Sequence, residues 1–268
     1  MRLFHKFETA LIFNFDETMI SLGDDKRKVA VFNDEPIGYR EKNEKIEHIT
    51  LMLCISAQGG SVKPTAIFPL RTLPELPPEV CNYFAISGSD SGWINGIILN
   101  AWLTNIFIPH VNNLRMNMPE NSPALLLLDN HSSRESIDIE KIWREHQIMI
   151  LLLPPNTTHL TQPLDATVNG VLKKHFAQIF EHNLQDNTRI RRAKVMIASM
   201  YALSVALSTF HVVQGWIHTG LEPIDQNRPL SMAVFEQNEQ LLSVNELPAQ
   251  RRRGPSILNN ILISEEGH

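Results

Sequence analysis

Ala124-Leu125-Leu126-Leu127-Leu128-Asp129 is the stretch from which the fold can be read. Five consecutive apolar residues without alternation describe a strand covered on both faces, and the run stops on an acid. Upstream, Ala10-Leu11-Ile12-Phe13-Asn14-Phe15 is a similar short run that ends at Asp16-Glu17-Thr18. Downstream, Ile148–Leu153 is a third, closed by Pro154-Pro155. Strands of this kind belong to an α/β sheet enclosed by helices. Lys45–Ser56 reads as a further strand, Gln58-Gly59-Gly60-Ser61 as a hairpin turn and Val62–Leu70 as the returning strand. Pro74, Pro77 and Pro78 then break regular structure. A hairpin followed by a strand–helix–strand unit predicts a mixed sheet of five strands.

Helical spacing supplies the flanking layers. Trp93, Ile97, Leu99, Trp102, Leu103 and Ile106 fall on one stripe within Trp93–Val111, and Ile139, Ile142 and Trp143 on one within Ser136–Gln147. The chain reads as helical from Pro163 through Glu181 and again from about Thr188 to Phe210. No formal charge lies between Lys194 and Glu222, a length that could span a bilayer. Yet Ala193, Met196, Met200, Leu203, Leu207 and Phe210 recur at steps of three and four, and Ser199, Ser204, Ser208, Thr209, His211 and Gln214 are interspersed. That pattern marks a helix with one buried face, so no membrane partner is expected. The tail from Asn227 is polar and contains Arg251-Arg252-Arg253. The expected organisation is one domain over 8–225 and an irregular extension over 226–268.

Composition limits the function. The 268 residues are 43% hydrophobic and 20% charged, the balance of a globular chain. Two cysteines exclude a disulfide framework and a cysteine-based zinc site. With no signal-like segment at Met1–Thr9, a reducing intracellular compartment is expected. A net charge of −5 argues against a protein that coats nucleic acid, and leaves an enzyme or a locally charged binder. Positive charge is local: Lys173, Lys174, Arg189, Arg191, Arg192 and Lys194 face only Glu181 and Asp186 between 173 and 194. The stretch is either a solvated helix face or a phosphate contact through Lys173, Lys174, Arg191 and Arg192. No P-loop, G-x-G-x-x-G or H-E-x-x-H occurs, and Gly88-Ser89-Asp90-Ser91-Gly92 has Asp where a nucleophile elbow needs Ser.

Asp16 and Asp129 each follow an apolar run, which puts them at the carboxyl ends of strands, where open α/β sheets build their sites. A single such acid is commonly a cap or turn residue. Asp129 is not needed for that, since Asn130, His131, Ser132 and Ser133 follow it. Asp165 closes the segment that begins at Pro154, and it returns to the same rim if the flanking strands are parallel neighbours. Two bare carboxylates about 4 Å apart repel by about 4 kcal/mol at an effective dielectric near 20. A cation or a shared proton must offset that. All-oxygen donors favour Mg²⁺ or Mn²⁺, and the matching chemistry is phosphoryl transfer.

Three blocks carry a resemblance: Asn14-Phe15-Asp16-Glu17-Thr18; Leu126-Leu127-Leu128-Asp129-Asn130-His131-Ser132-Ser133; and Leu153-Pro154-Pro155-Asn156-Thr157-Thr158-His159-Leu160-Thr161-Gln162-Pro163-Leu164-Asp165. Together they resemble the pogo/Tigger-like DDE superfamily endonuclease domain, the transposase catalytic domain of the mariner superfamily, to which centromere protein B is related. The 35 residues from 130 to 164 between Asp129 and Asp165 match the family's spacing. Ser87-Gly88, Ser91-Gly92-Trp93, Gly170–Lys174 and Trp216–Pro223 match as well, so the resemblance covers roughly residues 8–225.

The resemblance implies a ribonuclease H-like fold and an endonuclease or transposase that cleaves and transfers DNA strands. It implies Asp16, Asp129 and Asp165 as a catalytic, metal-binding triad, with Mg²⁺ or Mn²⁺ as cofactor. Glu17, Asn130, His131 and His159 would orient or hydrogen-bond those ligands. DNA is the implied partner, with a possible homodimer, and the nucleus the implied location. Many relatives have a second His where this chain has Arg134. Their helix-turn-helix region precedes the first catalytic strand, before which this chain has about ten residues. A catalytic domain alone is therefore expected: a truncated copy, a gene fragment or a partner to a separate DNA-binding unit, with a catalytically silent, domesticated or relic DNA-associated scaffold as the alternative. An α/β hydrolase is disfavoured because no nucleophile–base pair is visible.

Overall fold

Side-chain alternation along the first strand organises both cores. The computed structural model describes residues 7–21, 48–69, 75–120, 122–129, 137–153, 161–180, 188–225 and 227–228. In β1 (Ile12–Ser21), Phe13 and Phe15 point into one apolar cluster, while Ile12 and Ile20 point into another. Residues two apart share a face of a strand, so a strand apolar at both parities is buried on both sides. β1 pairs antiparallel with β2 (His48–Ser56) from Phe13↔Ser56 to Ser21↔His48. The expected turn follows: Ser56 N–H donates to the Gly60 carbonyl at 2.8 Å, and Gly59 takes a φ of 102°, which a residue with a Cβ rarely adopts. β3 (Thr65–Phe68) runs antiparallel to β2. After α1 (Pro78–Tyr83), β4 (Ala85–Gly88) lies parallel to β3.

The second half supplies helices and two parallel strands. α2 (Gly96–Trp102) leads through a wide π turn, Leu103–Phe107, into α3 (Ile108–Arg115). Pro109 lacks an N–H, and its ring would press on the carbonyl four residues back, which the wider turn relieves. β5 (Ala124–Leu128) pairs parallel with β1, and after α4 (Ile139–His146) β6 (Ile148–Leu152) pairs parallel with β5. A second π turn, Leu164–Val168, opens α5 (Asn169–Ile179), followed by α6 (Thr188–Ala206) and α7 (Thr209–Thr219). The strand order is β4-β3-β2-β1-β5-β6, and only β2 runs against the rest. That is the ribonuclease H-like mixed sheet. Helices α2, α3 and α4 cover one face, and α1, α5, α6 and α7 the other. All belong to the compact unit Met1–Asp225.

Several expectations need correction. The sheet has six strands instead of five, because Ala85-Ile86-Ser87-Gly88 is too short and too polar to read as one. β1 does not stop at Phe15. Thr18 and Ile20 keep their inward alternation and β2 offers partners as far as His48, so Asp16 lies mid-strand. On α2 it is Ile98 that is buried, and Ile97 is 81% exposed. Trp143 faces partly outward while Ile139 and Ile142 pack inward. The helix expected over 188–210 breaks at Leu207-Ser208, so Phe210 is 67% exposed instead of continuing the stripe.

No single described helix is long and apolar enough to cross a membrane. The pair Ile190–Ala206 and Thr209–Thr219 reaches that length only together, bent by 66°. Val195, Met196, Leu203, Val212 and Trp216 of this pair are buried in the core shared with the sheet.

Candidate metal centre

Register brings the first two acids together. β1 and β5 are paired up to Asn14↔Leu127, and two further residues along each strand bring Asp16 beside Asp129. Both have the parity of Ile12 and Leu125, the face covered by α5 and α7. One carboxylate oxygen each from Asp16, Glu17 and Asp129 lies within 4.8 Å of the others. Asp16 is 8% exposed, whereas Glu17 and Asp129 are half-buried. Three hard oxygen donors at this separation suit a Mg²⁺- or Mn²⁺-sized cation.

Asp165 is exposed and reaches the cluster through an amide. Asn169 Nδ2 donates at 2.9 Å to Asp165 Oδ1 and at 3.1 Å to Asp16 Oδ2. The π turn that carries Asp165 is itself held in place. Leu164 N–H donates at 3.0 Å to Oδ1 of Asn14, whose Nδ2 lies 3.4 Å from the Leu127 carbonyl. Asn14 thus clasps β1, β5 and the π turn at one point. Gly215 of α7 lets the Pro163 carbonyl approach so closely that a Cβ there would collide with it. Sequence reasoning misses Asn14 and Asn169 as site residues, though a signal exists. A polar residue inside a doubly buried strand must find a partner, and position i+4 from Asp165 shares its helix face.

Burial pushes the Asp16 carboxyl well above the usual carboxylate range. The charge of Asp165 and then that of Glu17 add to this, while donation from Glu17 N–H and the nearby Gln162 amide dipole oppose it. Between the unfolded value and the raised native one, the native protein keeps a proton at Asp16 that the unfolded chain has released. Stability from this group is present below an unfolded value of about 3.9 and is lost as pH rises through the raised native value. Asp16→Asn is therefore expected to raise the metal-free melting temperature at pH 7, by about 2–4 °C for each ~1 kcal/mol recovered. Thermal melts should show that gain fading below about pH 4.

Asn130, His131 and His159 lie outside the described residues. Lys173 and Lys174 are exposed on α5, Arg191 is half-buried on α6, and Arg192 is only 8% exposed. The four basic residues do not form one open surface.

A sequence model for the DDE superfamily endonuclease matches residues 46–216. The chain belongs to that family. The match begins after β1, so Asp16 lies outside it while Asp129 and Asp165 lie within. The chain is also 26% identical over 228 residues to MFS-type transporter clz9 of Cochliobolus lunatus, an alignment covering 82% of this chain and 24% of that protein. It thus spans about a quarter of that relative's length. Among solved structures, the Mos1 mariner paired end complex with Mn is 13% identical, with a TM-score of 0.49, over 80% of this chain and 54% of that one. The catalytic domain of Mos1 mariner transposase is likewise 13% identical, with a TM-score of 0.38, over 75% of this chain and 84% of that one.

Proposed function

We propose that this chain is a pogo/Tigger-like DDE endonuclease that cleaves and transfers DNA strands in the nucleus with the aid of Mg²⁺ or Mn²⁺. The observation that carries this reading is the convergence of Asp16, Glu17 and Asp129 carboxylates from two adjacent strands. Family membership as a DDE superfamily endonuclease supports it. Asp16 and Asp129 would hold the ion, and Asp165 would join them from the π turn. Glu17 is a further available oxygen donor. An ion held there would supply activation of a water or hydroxyl and stabilisation of the leaving oxygen of a phosphodiester. The chain's own part is to hold the acids at a fixed separation on a rigid sheet, with Asp16 shielded from water, where charge interactions are strengthened. The test is nicking of supercoiled plasmid DNA by the purified chain, with Mg²⁺ or Mn²⁺ against chelator. Metal-dependent nicking is expected, and its absence together with no Mn²⁺ binding in calorimetry would favour a silent scaffold.

Lys173 and Lys174 supply DNA contact in this reading, since they are exposed and lie on the helix that leaves the π turn. Replacing both with Ala is expected to weaken DNA binding uniformly across sequences. It should also reduce the salt dependence of log K by about one unit for each phosphate that is no longer neutralised. Titrations at several salt concentrations check this, and an unchanged slope would remove the two lysines from the interface.

A further inference from the structure

We propose that Asn169 is a positioning residue that sets the geometry of the Asp16–Asp165 pair, a role that rests on the metal-dependent reading above. An amide nitrogen carries two hydrogens, and here one nitrogen serves two carboxylates, at 3.1 Å to Asp16 Oδ2 and 2.9 Å to Asp165 Oδ1. Asn169 is only 5% exposed, so these charge-assisted bonds form where water competes little. Asp165 is exposed and stands outside the oxygen cluster of Asp16, Glu17 and Asp129, and Asn169 ties it to that cluster. One donor group reaching both anions from between them offsets part of their repulsion and fixes their separation before any cation arrives.

The surroundings of Asp16 point the same way. Asn169 Oδ1 and both amide atoms of Gln162 are buried without a hydrogen-bond partner among the described residues. Gln162 lies near enough to Asp16 for its amide to favour the charged carboxylate. Unpaired buried amides carry a cost that a purely structural core would avoid. Their placement around one carboxylate marks this as a built environment for Asp16. Asn169 keeps the two acids together from one side, with Gln162 beside Asp16. Groups that hold metal-ligating carboxylates typically change metal affinity by about 10–100-fold when removed.

Two measurements on the full chain test this. Calorimetric titration with Mn²⁺ compares wild type with Asn169→Leu, which keeps the branching at Cγ but removes both N–H donors. A Kd weaker by about 10- to 100-fold is expected. A metal-free thermal-melt cycle compares Asn169→Leu, Asp165→Asn and the double variant. The loss from Asn169→Leu should shrink when Asp165 is already neutral, because the like-charge pair is then gone. An unchanged Mn²⁺ affinity in a folded variant overturns the proposal whatever the cycle shows. If wild type binds no Mn²⁺, the metal-dependent reading fails. The cycle then decides alone, with non-additivity supporting the positioning role and additivity overturning it. If Asn169→Leu does not fold, Asn169→Ser takes its place in both measurements.

Discussion

Asp129→Ala is expected to lower metal-dependent nicking by about 10³-fold or more while leaving the melting temperature of the metal-free protein nearly unchanged. A cation that polarises a phosphodiester supplies several kcal/mol of transition-state stabilisation, and about 4 kcal/mol corresponds to a thousandfold in rate. Asp129 is half-buried and stands just past the end of β5, so no apolar contact of the core depends on it. Its loss removes one of three converging oxygens without opening a cavity. Melting the variant with and without Mn²⁺ separates the two effects, since a bound ion stabilises the folded state in proportion to its affinity. Nicking that survives the substitution at the wild-type rate would remove Asp129 from the centre.

Gly215→Ala should destabilise the protein, and Gly170→Ala should stabilise it. At Gly215 a Cβ would collide with the Pro163 carbonyl, a backbone atom that cannot swing aside. Forcing the two apart costs about 1–3 kcal/mol, or roughly 2–4 °C of melting temperature per kcal/mol. It also displaces Pro163, which precedes the π turn and lies two residues before Asp165, so Mn²⁺ affinity should fall with stability. At Gly170, on α5, nothing lies within 4 Å of the added carbon. Alanine there gains about 0.4–1 kcal/mol by restricting the unfolded chain. Thermal melts of both variants check the contrast. A neutral Gly215→Ala would mean that α7 does not press on the π turn.

The apolar runs around Leu126, Phe13 and Ile150 reveal a buried mixed sheet because strands covered on both faces lack polar alternation. The hairpin at Gly59 is equally legible from its glycine pair. The fourth strand is not, since four residues of mixed character carry no periodicity. Spacing alone assigns Ile97 and Phe210 to buried stripes, but a cap at Asn95 and a break at Leu207-Ser208 reset the helical phase. For the site, Asp16 and Asp129 can be picked out by the apolar runs before them, and Asp165 by the family resemblance of the segment that it closes.

From sequence alone come the sheet class, the three acids and the oxygen-only donor chemistry, because hydrophobic pattern and residue type are local properties. Only the tertiary structure could decide which oxygens meet. Strand register sets Asp16 beside Asp129 and admits Glu17, while Asp165 is reached through Asn169. The clasp of Asn14 on Leu164 joins residues 150 positions apart. Such contacts depend on how strands and helices pack across the sheet, and no neighbouring residue in the chain encodes them.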